Sequence, residues 1–132
     1  MNNIFIAIEG IDAAGKRTQS NKLAEYFGEQ GAQVTEVTFP QYGESFFGKI
    51  TGAYLTGEFG EKDTVGPYEA AVLYAADRFE ARHQLQKGLE HGVIVSDRYM
   101  ASNMAYQAAK LPPEERPAFY KWLKNLEFKA LG

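Results

Sequence analysis

The sequence predicts an α/β domain built around a parallel sheet. Three observations predict it. An apolar, β-branched run at residues 4–9, IFIAIE, leads through a glycine-containing loop into an amphipathic helical pattern. A second run at 33–39 follows that helix, and a third, Val93 to Val95, follows a long helical stretch. Strand–helix–strand–helix–strand–helix alternation gives parallel strands joined by right-handed crossovers. In such sheets ligands bind at the carboxyl ends of the strands.

The first strand runs into Gly10, Ile11, Asp12, Ala13, Ala14, Gly15 and Lys16. Gly-x-x-x-x-Gly-Lys between a strand and a helix is the spacing of a nucleotide-binding P-loop. The glycines let the backbone curl so that successive N–H groups aim at phosphate oxygens. Lys16 adds a charge that can follow the β- and γ-phosphates, and the helix presents its positive end to the same anion. The spacing is short enough to arise by chance, but the strand before it and the helix after it favour the functional reading. One position departs from the pattern. The residue after the lysine supplies a hydroxyl to Mg²⁺ in most such loops, and here it is Arg17, with Thr18 one position late. Either Mg²⁺ is held from elsewhere or Arg17 takes over part of the metal's charge work. A solvated Arg17 is the bland alternative.

The helix runs from Lys16 to Glu29, with Leu23, Ala24 and Phe27 facing inward and Gly31 as its stop signal. The strand at 33–39 takes its apolar character from Val34, Val37 and Phe39, and Pro40 ends it. Residues 41–67 are richer in glycine and polar side chains, with a short helix near 45–55; irregular stretches of this kind often carry specificity. Val72, Leu73, Ala76, Phe79 and Leu85 recur at helical spacing and predict one helix from Pro67 to Glu90, closed by Gly92. The continuous run Val93, Ile94, Val95 reads as a strand buried on both faces, ending at Ser96, Asp97 and Arg98. Helices over 101–109 and 117–128 complete the pattern, the latter carrying Phe119, Trp122, Leu123 and Leu126.

A chain of 132 residues suits one compact domain, and 45% hydrophobic residues suffice for a core. The absence of cysteine excludes disulfides and thiolate metal sites. No apolar stretch is long enough to span a bilayer, and no leader-like segment opens the chain, so a cytoplasmic location with no membrane partner is expected. A net charge of −3 argues against coating nucleic acid, but a mononucleotide needs only a few local cations.

The P-loop, Phe39–Pro40 and Asp97–Arg98 all fall at strand ends and are expected to converge on one cleft. Asp97 beside a P-loop can hold Mg²⁺, usually through water, and Arg98 can fork onto a phosphate. A local ion pair capping the strand is the alternative. Phe39 could stack on a base, though packing is the commoner fate of such a residue. Arg78, within a helix, could read a base edge or belong to a salt-bridged face; the two readings are evenly matched.

Five segments carry a resemblance: FIAIEGIDAAGKRTQ at 5–19, FPQYGES at 39–45, LYAADRF at 73–79, SDRYMASNMAYQ at 96–107 and WLKNLEFKALG at 122–132. In order and spacing the chain resembles bacterial thymidylate kinases, of the nucleoside monophosphate kinase group. Arg17 itself looks like a loop variant found in that family. The resemblance implies a P-loop NTPase-like three-layer sandwich and phosphoryl transfer from ATP to dTMP, giving ADP and dTDP. It implies ATP phosphates held by Gly10, Ala13, Ala14, Gly15, Lys16, Arg17 and Thr18. It implies dTMP contacts from Asp12 (the 3′-hydroxyl), Phe39 (stacking on thymine), Tyr42 and Arg98 (the acceptor phosphate), Arg78 (a thymine carbonyl), Asn103 (the base) and Tyr106 (the sugar, against a 2′-hydroxyl). Lys16, Arg17, Asp97 and Arg98 would be catalytic, Asp97 would organise Mg²⁺ through water, and Ser102 would support the motif. A homodimer is also implied.

Relatives of this kind continue past the segment resembling LEFKALG, with a further central strand, a basic lid, and a last strand and helix. The 132 residues are therefore expected to be a C-terminally truncated portion, leaving one side of the first strand unpaired. A non-catalytic nucleotide-binding fragment and a kinase for another deoxynucleoside monophosphate stand as alternatives.

Overall fold

The computed structural model describes residues 3–61 and 64–132, so two positions of the irregular 41–67 stretch lie outside it. The described chain forms two compact units. Of the described residues, those up to Phe39 and those from Ala81 to Tyr99 make up the first, and those from Pro40 to Glu80 and from Met100 to Gly132 the second.

The first unit holds the parallel sheet. Strands β1 (Ile4–Ile8), β2 (Gln33–Thr38) and β3 (Gly92–Asp97) lie in the order β1-β3-β2, with Ile8 and Thr38 both in register with Asp97. The apolar run of β3 sits in the centre, and residues 93–96 are all buried, as a strand covered on both faces requires. Side chains alternate between those faces. Val93 and Val95, with Ile6 and Val34, pack against Leu23, Ala24 and Phe27 of α1 (Lys16–Glu29). Ile94, with Phe5 and Val37, packs against Leu85 and Leu89 of α4 (Arg82–His91). This unit is thus a helix–sheet–helix sandwich. Among the described residues β1 has no further strand on its outer side.

The second unit is helical, with α2 (Phe46–Leu55), α3 (Pro67–Glu80), α5 (Met100–Ala108) and α6 (Arg116–Asn125). Its core joins Ala71, Ala108, Phe119 and Leu123, flanked by the edge-packed rings of Tyr68 and Trp122.

Two expectations for the long helical stretch are corrected. It is not one helix: Ala81, at φ −82° and ψ 0°, separates α3 from α4. No glycine or proline marks the break. The inner stripe of α3, Ala70, Ala71, Ala75, Asp77 and Arg78, is buried in the second unit, whereas Ala81 and Leu85 join the core of the first. The buried stripe of α3 also differs from the apolar pattern. Val72 is exposed, and Ala70, Ala71, Ala75, Asp77 and Arg78 are buried. Small side chains allow α2 and α5 to pack close to α3, and the two charged residues are buried because each has partners.

Candidate active site

In the first unit the three strand ends meet. The Phe39 N–H donates to the Asp97 carbonyl at 3.0 Å, and the Arg98 N–H donates to the Ile8 carbonyl at 2.9 Å. The P-loop, the end of β2 and the end of β3 therefore share one edge of the sheet. The loop turns into α1 through two left-handed residues, Ala13 at φ 59° and Gly15 at φ 84°. Gly15 occupies the N-cap position and makes no side-chain cap, so no side chain of its own competes for the N–H groups of the first turn. Lys16 and Arg17 open this helix, and no acidic residue lies in its first turn. Cations there oppose the helix dipole, at a cost of about 0.3–1 kcal/mol each. Such an arrangement favours an anion at this helix end. The Lys16 stem lies over Gly10, and its Nζ donates to the Ile11 carbonyl at 2.6 Å. Arg17 and Thr18 are exposed.

Arg98 has a left-handed backbone at φ 67°, a conformation that costs a non-glycine residue about 1–3 kcal/mol when the surroundings impose it. Here its N–H is tied to Ile8 and its carbonyl accepts from the Ser96 hydroxyl. The guanidinium pairs with Asp12 of the loop. Glu9, just before the loop, accepts from the Tyr99 N–H at 2.9 Å, a second tie between β1 and the turn after β3. Glu9 belongs to the segment that carries the resemblance, but sequence alone assigns it no role, because a single exposed glutamate has no periodic signature.

Asp97 Oδ1 is buried and accepts no hydrogen bond from any described residue. A buried carboxylate oxygen with capacity to accept fits a water of a hydrated Mg²⁺, which keeps several waters and binds one or two carboxylates plus substrate phosphates. Among the described residues no group of three acidic or histidine ligands could cage a metal alone.

For Phe39, the packing reading that stood beside stacking on a base has support. The residue is 2% exposed, packed with Val37, Ala81, Leu85 and Ile94, and its ring lies 5.7 Å from that of Tyr99.

The remaining predicted residues belong to the second unit. Tyr42 and Tyr106 are exposed, and Ser102 is half-buried. Arg78 is 4% exposed and forks onto Glu127, its Nε donating to Oε2 at 3.1 Å and its Nη2 to Oε1. Of its two sequence readings, the ion pair is present. Asn103 donates through Nδ2 to the Ala71 carbonyl at 3.1 Å, which sets the amide orientation. Its Oδ1 is buried and has no hydrogen-bond donor among the described residues.

The sequence reading missed the anchor of the 41–47 segment. Asp77, fully buried, accepts from the Gln41 N–H at 2.8 Å and from the Ser45 hydroxyl. Ser45 in turn caps α2 by accepting from the Gly48 N–H, and Glu80 accepts from the N–H groups of Phe46 and Phe47. The capping serine was a usable signal; its carboxylate partners, more than thirty residues away, were not.

Comparison with known proteins follows the same lines. The thymidylate kinase family profile matches residues 8–121. Thymidylate kinase from Mycobacterium tuberculosis is 42% identical over 131 residues, covering 98% of this chain and 60% of that protein. The enzyme from Bifidobacterium longum is 37% identical over 130 residues, covering 95% and 62%. The solved structure of thymidylate kinase from Candida albicans superposes with a TM-score of 0.74 at 26% identity, covering 94% of this chain and 56% of that one. The chain thus spans about 60% of the length of the curated relatives it matches. With the profile matched across most of its length, the chain belongs to the thymidylate kinase family.

Proposed function

We propose that this chain carries the nucleotide-binding machinery for phosphoryl transfer from ATP to dTMP. The observation that carries the reading is the β1–loop–α1 phosphate cradle, with Lys16 and Arg17 opening a helix that has no acidic residue in its first turn, in a member of this family. The transfer needs little covalent chemistry from the protein. An oxygen of the dTMP phosphate, already ionised at neutral pH, attacks the γ-phosphorus of ATP. The bond to the bridging oxygen breaks, and ADP leaves with that oxygen. No general base is required. Catalysis then consists of alignment and charge neutralisation.

Gly10, Ala13, Ala14, Gly15 and Thr18 line the loop that holds the ATP phosphates, and Lys16 and Arg17 neutralise their charge. Arg98 grips the acceptor phosphate, and Asp12, its partner, takes the sugar 3′-hydroxyl. Asp97 would hold Mg²⁺ through water, and the ion would supply positive charge to the transferring phosphate. In the second unit, Asn103 Oδ1 suits a base N–H, since it is a buried acceptor whose amide is already oriented. The resemblance gives Arg78 the role of donor to a base carbonyl, Tyr42 a contact to the acceptor phosphate and Tyr106 a contact to the sugar. The resemblance extends the proposal to a cytoplasmic homodimer, which sedimentation velocity would test.

Because the chain spans about 60% of its relatives' length, binding and turnover are tested apart. Isothermal titration with dTMP and with ATP measures binding, and coupled ADP release measures turnover. Binding of both with turnover supports the kinase; binding without turnover supports a nucleotide-binding module; binding of neither refutes both. Lys16→Ala is expected to weaken ATP about 10–100-fold and leave dTMP nearly unchanged, since a hydrogen bond to a charged group contributes about 1.5–3 kcal/mol. Asn103→Ala is expected to weaken dTMP about 3–10-fold, the worth of one ordinary hydrogen bond, with ATP unaffected. Equal losses for both ligands would contradict this division of roles.

A further inference from the structure

Arg78 and Glu127 are 49 residues apart in sequence, and their side chains are only 3% and 6% exposed. Glu127 occupies the inner stripe of α6 and its extension, at four-residue spacing after the buried Phe119 and Leu123. An aliphatic side chain would be expected there. The glutamate sits in a π-helical turn, Leu126–Ala130, a geometry found often at functional sites. Its carboxylate takes the Nε and Nη2 hydrogens of one edge of the guanidinium. Such a fork fixes the plane of the group as well as its position. Stability alone does not account for the pair, because apolar residues of similar volume usually serve a core as well or better.

We propose that Glu127 is a positioning residue for Arg78 and thereby sets the choice of base. The proposal rests on the reading of Arg78 as a base contact. An arginine has only donors to offer. Held in one plane, it rewards a carbonyl on the pyrimidine and opposes an amino group at the same position. Thymine offers the carbonyl and cytosine the amino group. A guanidinium released from the carboxylate can turn away, and the discrimination is lost.

The test is titration of the 132-residue chain with dTMP and dCMP, using Glu127→Gln. Glutamine keeps the length but offers one acceptor and one donor to a group that has only donors. The expected result is about tenfold weaker dTMP binding with dCMP binding unchanged, so that the ratio between them narrows about tenfold, the equivalent of losing one good hydrogen bond. If the melting temperature falls while the dTMP/dCMP ratio stays at its wild-type value, the pair is structural only and the proposal is overturned. Should the variant not fold, the Arg78 Nε–H signal of ¹⁵N-labelled wild-type protein decides. Slow solvent exchange that persists at saturating dTMP supports the proposal. Loss of protection on binding means that the nucleotide displaces Glu127, which overturns it. Arg78→Lys separates the two layers. Unchanged dTMP binding in that variant refutes the base-contact reading itself, whereas weakened binding alongside an unchanged ratio in Glu127→Gln refutes only the role of Glu127.

Discussion

Replacing Arg78 by Met is expected to lower the unfolding free energy by about 3–5 kcal/mol, because it leaves the buried Glu127 carboxylate without its cation. Glu127 is 8% exposed and cannot recover its hydration in place. The double variant Arg78→Met with Glu127→Leu removes both charges and fills the space with apolar atoms. It is expected to return to within about 1–2 kcal/mol of wild type, since a buried ion pair and a well-packed apolar pair of similar volume are close in energy. The two variants differ in stability and agree in function, because neither has the guanidinium proposed to face the base. Urea denaturation of wild type, single and double variants measures the first point, and dTMP titration of the double variant the second. A single variant as stable as wild type would show that the pair is not buried in solution.

Gly48→Ala is expected to be the other severe substitution. Gly48 is buried in the first turn of α2, and a Cβ there would lie 2.0 Å from the Gln41 carbonyl oxygen and 2.6 Å from Ser45 Oγ. Neither atom yields easily. The Gln41 backbone is anchored by Asp77, and the Ser45 hydroxyl is committed both to Asp77 and to the Gly48 N–H. Overpacking of a tight site costs about 1–3 kcal/mol. Losing the Ser45 cap adds about 1 kcal/mol, and weakened bonds to the buried Asp77 carboxylate add more. A drop in the urea midpoint of that order, with loss of the ordered 41–47 segment by amide exchange, is the expected outcome. Unchanged exchange protection at Gln41 would show that the segment is not held as described. Since Tyr42 lies within it, dTMP binding should weaken in the same variant.

The parallel sheet and its three strands were legible because each strand bears its own signal. IFIAIE is bounded by Gly10, the second strand by Pro40, and Val93 to Val95 is apolar without interruption. The P-loop was legible for a related reason: its chemistry is local, carried by backbone N–H groups and one lysine within seven residues of chain. The break at Ala81 was not legible. Periodicity reports only that residues share a helical face, and it continues smoothly across a junction at which the two halves become buried in different units. Val72 misled in the same way, since size and apolarity suggested burial where close packing demanded alanine. Phe39 shows the limit from the other side: an aromatic at a strand end reads alike whether it meets a base or a core.

Residues 1–132 determine by themselves the strand–helix alternation, the phosphate loop and the family, all of which depend on contiguous residues and their spacing. Tertiary structure alone decides the partnership of Arg78 with Glu127, the anchoring of Gln41 and Ser45 by Asp77, and the closure of Arg98 onto Asp12. The physical reason is distance along the chain. A buried charge is tolerable only when another segment supplies its counter-charge or donor, and a sequence does not state which distant segment that will be.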